Sequence, residues 1–388
     1  MDDFGADLAF GWYQPTRIAF GAGVVKEAGL ELKRLGVTRA VIVTDAVLRG
    51  KTDVVAQVER ALGARCAGVF DGVAPDTPAE VVDRGAAAAR ALGADALVSV
   101  GGGSAIDTAK GMAIVLTEGG AIRDHQGSQR LGRRQTPHLA IPTTAGTGSE
   151  VSMYAVVLDE ASREKMHFAD DRIIPDGAVL DPALTVGMPR WLTAATALDA
   201  LTHAIEAFQA MQRNPLSDAA ALHAIRLIAR ALPRALADEK DLAARGILLA
   251  AANLAGQAFN GAGVGLVHAM AHVIGARHHV HHGTANAICL PHVMRFDADE
   301  LSPRLARIAE ALGAPPGKDD AATAEAGARA VEELVRQSGL PTRLRDAGVP
   351  ESDLPACAEG ALSDGAIVYN GKFAADRDLV LGVFRAAY

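Results

Sequence analysis

The first half of the chain alternates short runs rich in valine, isoleucine and leucine with alanine-rich segments, an order that few folds accommodate. Strand-like runs lie at 39–45, 65–72, 95–103, 138–144 and 177–182. Helix-like segments at 53–64, 78–94 and 104–116 follow the first three of these runs. Strands that alternate with single helices through short loops predict a parallel sheet with helices on its faces.

The pattern changes after "GMPRW" (187–191), where strand-like runs end and long segments rich in alanine and leucine follow. A chain of 388 residues exceeds the usual size of a single hydrophobic core, so two domains are expected. We therefore predict an α/β domain over residues 1–186 and an all-helical domain over residues 187–388.

Net charge, apolar segments and cysteine content indicate which binding partners and which cellular location to expect. The formal net charge of −8 argues against a nucleic-acid-binding surface. The N-terminal segment does not have the pattern of a signal peptide, and polar side chains interrupt the apolar residues 249–276, which predicts buried helices and no membrane span. The three cysteines, Cys66, Cys289 and Cys357, are odd in number and lack ligand-like spacing. They predict free thiols and a cytoplasmic location.

Two segments rich in glycine and hydroxyl side chains follow predicted strands. In "LVSVGGGSAIDTAK" (97–110), the glycines allow backbone N–H groups to approach a phosphate at the start of a helix. In "IPTTAGTGSEVS" (141–152), hydroxyls stand at a strand end, where parallel sheets bind ligands. The GxGxxG spacing is absent, and each segment alone is equally compatible with an ordinary turn or exposed loop. Together they favour a ligand site at neighbouring strand ends.

Six histidines lie in "GLVHAMAHVIGARHHVHHG" (265–283), among small and apolar residues. Upstream, Asp199 and His203 stand four residues apart on one face of a predicted helix, where an exposed pair is the commoner arrangement. The zinc-protease pattern HExxH fails because Ala269 takes the place of its glutamate. A metal site with one carboxylate needs about three imidazoles, so several of the six histidines have another role.

The motifs GGGSAIDTAK, IPTTAGTGSEVS, DALTHAIEAF and GLVHAMAHVIGARHHVHHGTANAICLPHVM occur in this order. The combination resembles the iron-containing (group III) alcohol dehydrogenase family from about Arg17 to the C-terminus. The resemblance implies a Rossmann-like nucleotide-binding domain, a C-terminal helical metal-binding domain, and an active site in the cleft between them. It also implies a homodimer that interconverts an alcohol and an aldehyde or ketone by hydride transfer to or from NAD.

The resemblance also assigns the metal site. The ligands of one divalent ion, Fe2+ or Zn2+, fall on Asp199, His203, His268 and His282. His272 falls on a histidine that lies near the nicotinamide and is not a ligand, and we expect it to relay a proton. His278, His279 and His281 receive no role, and His281 stands where many relatives have proline.

The same resemblance assigns cofactor contacts, which are carried by Asp45, Gly102, Gly103, Ser104, Thr143, Thr144, Thr147 and Lys165. Asp45 ends the first clear strand, where a carboxylate can bind the ribose hydroxyls of NAD and repel the 2′-phosphate of NADP. Alternatively, Asp45 only caps the helix that follows. Asp76 lies near a position at which members of this family often have asparagine. No direct role is assigned to Asp107 or Lys110.

Three alternative functions remain open from the sequence. Maleylacetate reductases share the fold, and a lyase of the dehydroquinate synthase kind uses a related fold and NAD. The third alternative is a metal-binding protein without catalytic activity, but the glycine-rich loops would then have no function. The sequence does not identify the alcohol, and the residues expected to line its pocket are Met153, Tyr154, Phe168, Phe259 and Tyr369.

Overall fold

The computed structural model describes Phe4, residues 8–162 and residues 164–388, which form two compact units. One unit comprises Gln14–Met188. The other comprises Pro189–Tyr388 together with the segment that ends at Tyr13. We call them the α/β unit and the helical unit.

The α/β unit contains all the strands found in the described residues. They are β1 (Arg17–Phe20), β2 (Ala40–Val43), β3 (Cys66–Phe70), β4 (Ala96–Gly101), β5 (Gly127–Ser128), β6 (His138–Pro142), β7 (Tyr154–Asp159), β8 (Glu164–Ala169) and β9 (Gly177–Leu180). Its α-helices are α1 (Ala28–Arg34), α2 (Ala46–Lys51), α3 (Val54–Leu62), α4 (Ala79–Ala91) and α5 (Gly103–Glu118).

Six strands form a sheet in the order β1-β9-β6-β4-β2-β3, in which every pairing is parallel. From β2 onward, this order is that of a doubly wound sheet, because β3 lies on one side of β2 and the later strands lie on the other. The direction of winding therefore reverses between β2 and β4. In such sheets, ligands bind in the crevice beyond the carboxyl ends of the strands at that reversal.

Strand β2, in the interior of the sheet, shows that helices cover both faces of the sheet. Each residue of β2 is buried, and successive side chains point to opposite faces. Val41 and Val43 pack in a core with α4 and α5, whereas Ala40 and Ile42 pack in a second core with α1 and α3. A strand buried on both sides reads as a continuous apolar run in the sequence, as β2 does.

The helical unit contains the remaining α-helices. They are α6 (Arg190–Gln209), α7 (Pro215–Ala237), α8 (Leu242–Ala262), α9 (Leu266–His278), α10 (His282–Leu312), α11 (Asp320–Ser338), α12 (Leu354–Leu362) and α13 (Arg377–Ala387). Helix α8 is long and apolar enough to cross a membrane by length and composition, with a mean hydropathy of 1.3. Since 67% of that apolar window is buried inside the protein, α8 has the character of a core helix.

The parallel sheet and the helical C-terminal part confirm the predicted fold class, and the structure adds two features. A small sheet in the order β5-β8-β7 contains an antiparallel pair, β7 with β8, that was not predicted. Residues 8–13, predicted within the α/β domain, group instead with the helical unit. There the ring of Trp12 packs on Gly261, and the amide of Asn260 donates to the backbone oxygen of Tyr13 at 3.5 Å.

Candidate functional site

In the α/β unit, the predicted nucleotide residues at the ends of β4 and β6 come into contact. A Cβ on Gly103 would lie 2.8 Å from Thr147 Cγ2, and a Cβ on Gly102 would lie 3.2 Å from Thr144 Cγ2. Glycine is therefore required at Gly103 for the two loops to approach this closely. Helix α5 begins here, so its unpaired N–H groups lie at the same point.

Asp45 lies at the carboxyl end of β2, on the other side of the reversal in the sheet. Its Oδ1 accepts hydrogen bonds from the backbone of Val47 at 2.8 Å and of Leu48 at 2.9 Å, so it caps α2. Arg49, the arginine nearest in sequence, donates to Asp71 Oδ2 at 2.8 Å. The capping role is therefore observed, and the ribose contact of Asp45 stays a prediction.

The other predicted cofactor residues lie on the same edge of the unit or on the small sheet. Ser104 is in the first turn of α5, and Thr143 follows β6, where its N–H donates to Gly101 O at 2.9 Å. Lys165 lies on β8, and its Nζ is 3.2 Å from Asp76 Oδ1.

Two motif residues without an assigned role anchor the segment that leads into β7. The buried Lys110 Nζ donates to the backbone oxygens of Ser152 at 2.8 Å and Tyr154 at 2.6 Å. Asp107 Oδ2 accepts from the N–H of Val156 at 3.1 Å. Burial lowers the pKa of Lys110 to about 8, an effect that the nearby Asp107 opposes. Both residues have a structural role in holding the loop after β6.

In the helical unit, α6 positions the predicted metal ligands Asp199 and His203. Every residue from Thr193 to Gln209 is buried, so α6 is enclosed on all sides and its polar side chains point into the protein. Helix α9 contributes His268, and α10 begins at His282. Three of the four predicted ligands, Asp199, His268 and His282, converge where these helices meet.

Their ligand atoms all lie within 4.8 Å of one another. Asp199 Oδ1 is 3.9 Å from His268 Nε2 and 3.5 Å from His282 Nε2. A close helix contact brings His282 to this place, because a Cβ on Gly283 would lie 2.2 Å from the backbone oxygen of Ala195 on α6. The glycine of the His-Gly pair is therefore required for α10 to start against α6.

Glu206, which was not predicted, fixes the orientation of His268. Its Oε2 is 2.5 Å from His268 Nδ1, and its Oε1 accepts from the N–H of Val267 at 2.6 Å. With Nδ1 bonded to a carboxylate, Nε2 of His268 points toward Asp199 and is available to a metal. Burial disfavours the charged imidazole, but Glu206 and then Asp199 raise the pKa of His268 above its usual value.

The donor set fits a divalent cation. Asn286 Nδ2 lies where the acceptors converge, 2.7 Å from Asp199 Oδ1, 3.4 Å from His268 Nε2 and 3.2 Å from His282 Nε2. The carboxylates of Asp199 and Glu206 are both buried, which is costly without a positive charge between them. Imidazole nitrogen and carboxylate oxygen suit both iron and zinc.

His203, the fourth predicted ligand, lies beside this group. Its ring stacks on His268 with centroids 4.5 Å apart, and on Phe259 at the same separation. The structure thus places His203 next to the converging atoms but outside the group within 4.8 Å. Phe259 is close to the metal residues, whereas Phe168 is only 2% exposed in the core of the α/β unit and cannot line a pocket there.

His272 has a separate partner. Its Nδ1 is 2.8 Å from Asp364 Oδ2, and its ring stacks on His282 with centroids 5.3 Å apart. Asp364 lies just after α12 and was not predicted.

The three histidines without a predicted role have distinct places. His279 follows the last residue of α9 as its C-cap with a positive φ of 55°, and the ring of His281 meets Trp191 edge-on at 5.4 Å. The φ of His281 is −56°, which is within the range of proline, so the local backbone is the one that proline would adopt. His278 lies 2.7 Å from Asp353.

A sequence signal existed for two of the three missed residues. Glu206 follows Asp199 and His203 at helical spacing, so all three share one face of α6. Asn286 follows His282 by four residues on α10, so these two also share a face. Asp364 is recognised only once the helices are packed, since nothing in its sequence neighbourhood links it to a histidine.

Comparisons with known proteins show which family the sequence matches. The family described as "Iron-containing alcohol dehydrogenase" matches residues 15–182, and "Fe-containing alcohol dehydrogenase family, C-terminal" matches residues 193–388. An NAD-dependent methanol dehydrogenase from Bacillus methanolicus is 40% identical over 371 residues, which cover 95% of this chain and 97% of that protein.

Solved structures give the same result. A 1,3-propanediol oxidoreductase has a TM-score of 0.95 and 38% identity, and the match covers 98% of this chain and all of that one. A maleylacetate reductase from Agrobacterium tumefaciens is more distant, with a TM-score of 0.83 and 27% identity over 98% of each chain.

Proposed function

This chain belongs to the iron-containing alcohol dehydrogenase family, and we propose which of its residues perform the family's reaction. The reaction is the NAD- and metal-dependent interconversion of an alcohol and an aldehyde or ketone by hydride transfer. The observation that carries the proposal is the convergence of Asp199 Oδ1, His268 Nε2 and His282 Nε2 within 4.8 Å.

We propose that Asp199, His203, His268 and His282 hold one Fe2+ or Zn2+ ion. When bound, the ion polarises the oxygen of the alcohol or carbonyl substrate. Glu206 keeps His268 in the tautomer that presents Nε2, and burial of Asp199, His203 and His268 limits competition from water, whereas His282 is partly exposed. His203, whose ring stacks on that of His268, would complete the ligand set after a rearrangement of its side chain.

We propose that His272 relays the proton of the reaction. Asp364 accepts the Nδ1 proton of His272 at 2.8 Å, so Nε2 is the atom that takes up or releases a proton. Asp364 acts through His272 and is therefore a positioning residue. The same carboxylate also accepts from the N–H of Ala366 at 2.8 Å, which fixes its own orientation.

For the cofactor, we propose that NAD binds at the carboxyl ends of β2, β4 and β6. NAD accepts or donates the hydride. The start of α5 and its bare glycines bind the pyrophosphate, and the threonines after β6 bind the phosphates and ribose. Lys165 would have to leave Asp76 for the nicotinamide ribose, a small cost for an ion pair in which Asp76 is 53% exposed.

A cytoplasmic location and a homodimer stay predictions. The substrate class follows the alcohol dehydrogenase relatives, which are more similar to this chain than the maleylacetate reductase is.

The test is reconstitution of the chelator-treated protein with Fe2+ or Zn2+, one ion at a time. Each sample is assayed with NAD and a panel of primary alcohols and diols, and with NADH and the matching aldehydes or maleylacetate. Metal-dependent NADH formation from an alcohol supports the proposal. Turnover confined to maleylacetate would replace it with the reductase alternative, and NAD-dependent lysis of a sugar phosphate would replace it with the lyase.

A further inference from the structure

A second group of metal-ligating side chains lies in the helical unit, apart from the proposed catalytic site. It comprises His278 at the end of α9, Asp353 immediately before α12, and Cys357 within α12. One ligand atom from each lies within 4.8 Å of the others. We propose that this group, which we call the α9–α12 cluster, binds a second divalent cation with the ligand preferences of zinc.

The distances in the cluster are close to those of a zinc site. His278 Nε2 is 2.7 Å from Asp353 Oδ2, and Cys357 Sγ is 3.9 Å from each of these atoms. Tetrahedral zinc with ordinary bond lengths separates nitrogen from oxygen by about 3.3 Å, and sulfur from either by about 3.6 Å. Each separation therefore changes by roughly 0.6 Å or less when the ion enters. Side-chain rotation suffices for that change.

The elements that carry these ligands hold them in place. Asp353 and Cys357 are four residues apart at the start of α12, and thus share one face. The side chain of Cys357 is buried, whereas those of His278 and Asp353 are 14% and 24% exposed. The sulfur therefore lies on the inner side of the site, and the fourth coordination position faces the more exposed side, where water completes the shell.

Arg277 is the competing cation. Its Nε donates to Asp353 Oδ2 at 2.8 Å and its Nη2 donates to Oδ1 at 2.7 Å. Metal binding displaces only the bond to Oδ2, because Oδ1 is not needed as a ligand. Arg277 then remains on Oδ1 as an outer partner that orients the carboxylate, as is common around metal sites.

Coordination replaces one proton. Without the ion, burial raises the pKa of Cys357 to about 11, so the group is a neutral thiol at neutral pH. The ion binds the thiolate, and the thiol proton passes to solvent. Binding therefore strengthens as the pH rises.

Occupation of the cluster links two helices that position other residues. Helix α9 carries His268 and His272, and α12 leads directly to Asp364, the partner of His272. An ion that joins the end of α9 to the start of α12 therefore stabilises this helix pair. The site differs from the proposed catalytic one by its sulfur ligand, which gives it a distinct spectroscopic signature.

The experiment is a titration of the full-length, chelator-treated protein with Co2+ and, separately, with Zn2+. The proposed catalytic ligands contain no sulfur, so near-ultraviolet thiolate-to-cobalt charge-transfer absorption reports the α9–α12 cluster alone. We expect this band to appear in the wild type and zinc to bind at two equivalents per chain. Cys357→Ser and His278→Ala should each lose the band and bind one equivalent, with the NAD-linked activity retained.

Cys66→Ser is the matched control, since Cys66 lies on β3 of the α/β unit and belongs to neither group of metal-ligating residues. It should keep both the band and the second equivalent. Circular dichroism establishes that each variant is folded, and two variants on different helices guard against misfolding of one. The proposal is overturned if the wild type shows no thiolate band, or if the band survives in Cys357→Ser. Loss of the catalytic ion alone leaves the thiolate band intact, so the two proposals fail independently.

Discussion

The two units build their proposed sites by opposite means. At the ends of β4 and β6, the α/β unit uses backbone, small residues and hydroxyls that are consecutive in sequence. The helical unit uses polar side chains from three helices, of which Asp199, His268 and His272 each bond to a partner far away in the chain. A site made of backbone depends on close approach, whereas a site made of side chains depends on orienting hydrogen bonds. Substitutions should therefore fail in different ways in the two units.

The largest effect is expected where a proposed ligand is removed from the helical unit. His268→Ala should leave bound metal well below one equivalent at the catalytic site and abolish activity. Glu206→Gln keeps His268 but weakens the bond that orients it, so metal affinity should fall about 10–100-fold. Metal analysis after dialysis, with zinc in the α9–α12 cluster counted separately, checks both variants. A full complement of catalytic metal in His268→Ala would remove this residue from the ligand set.

A loss of about 10²–10⁴-fold in turnover is expected for His272→Ala, the range typical of a removed acid–base group. This variant should keep its metal and its affinity for NADH. Asp364→Asn should lower kcat by a smaller factor and leave KM unchanged, because the amide oxygen can still accept from His272 Nδ1 but carries no charge to stabilise the protonated imidazole. Metal loss in His272→Ala would instead make His272 a ligand.

The contrast between sites built from consecutive residues and sites built from distant ones explains which features could be predicted from the sequence. The parallel sheet and the helical part follow from the spacing of apolar residues, and the structure confirms both. The glycine-rich turn and the histidine motif are local, so their residues are recognisable before folding. Asp364 meets His272 across 92 positions of sequence, and this pair exists only once the helices pack. The spacing of Glu206 from Asp199 and His203 places it on their face of α6, but its bond to His268, 62 positions away, also depends on packing. The ion pairs of Asp353 with Arg277 and His278 were missed for the same reason, because these residues are also far apart in the sequence.

In the α/β unit, Gly103→Ala tests dependence on close approach. The added methyl would lie 2.8 Å from Thr147 Cγ2, so the loop after β6 must shift and the unfolding free energy should fall by about 1–3 kcal/mol. The affinity for NADH should fall with it, by fluorescence titration, while bound metal is unchanged. Gly132→Ala is the matched control, since a Cβ there has no heavy atom within 4 Å. Equal NADH binding in Gly103→Ala would show that the two loops do not form the nucleotide site.

Substitutions of Asp45 test whether the α/β unit also recognises NAD through a charged side chain. Their expected effect is the smallest of those predicted here. If the carboxylate binds the ribose hydroxyls and repels a 2′-phosphate, NAD(H) should be preferred over NADP(H) by more than about tenfold in kcat/KM. Arg49 does not offset that repulsion while it pairs with Asp71.

The cap that Asp45 provides to α2 must be separated from this charge. Asp45→Asn keeps an oxygen for the N–H groups of Val47 and Leu48 but removes the charge, so it should relax cofactor discrimination at nearly unchanged stability. Asp45→Ala removes the cap as well and should cost a further 0.5–2 kcal/mol or so of unfolding free energy. Steady-state kinetics with both cofactors, beside thermal unfolding, resolve the two roles. Undiminished preference for NAD in Asp45→Asn would leave Asp45 as a cap alone, and recognition in the α/β unit would then rest on backbone and hydroxyl groups.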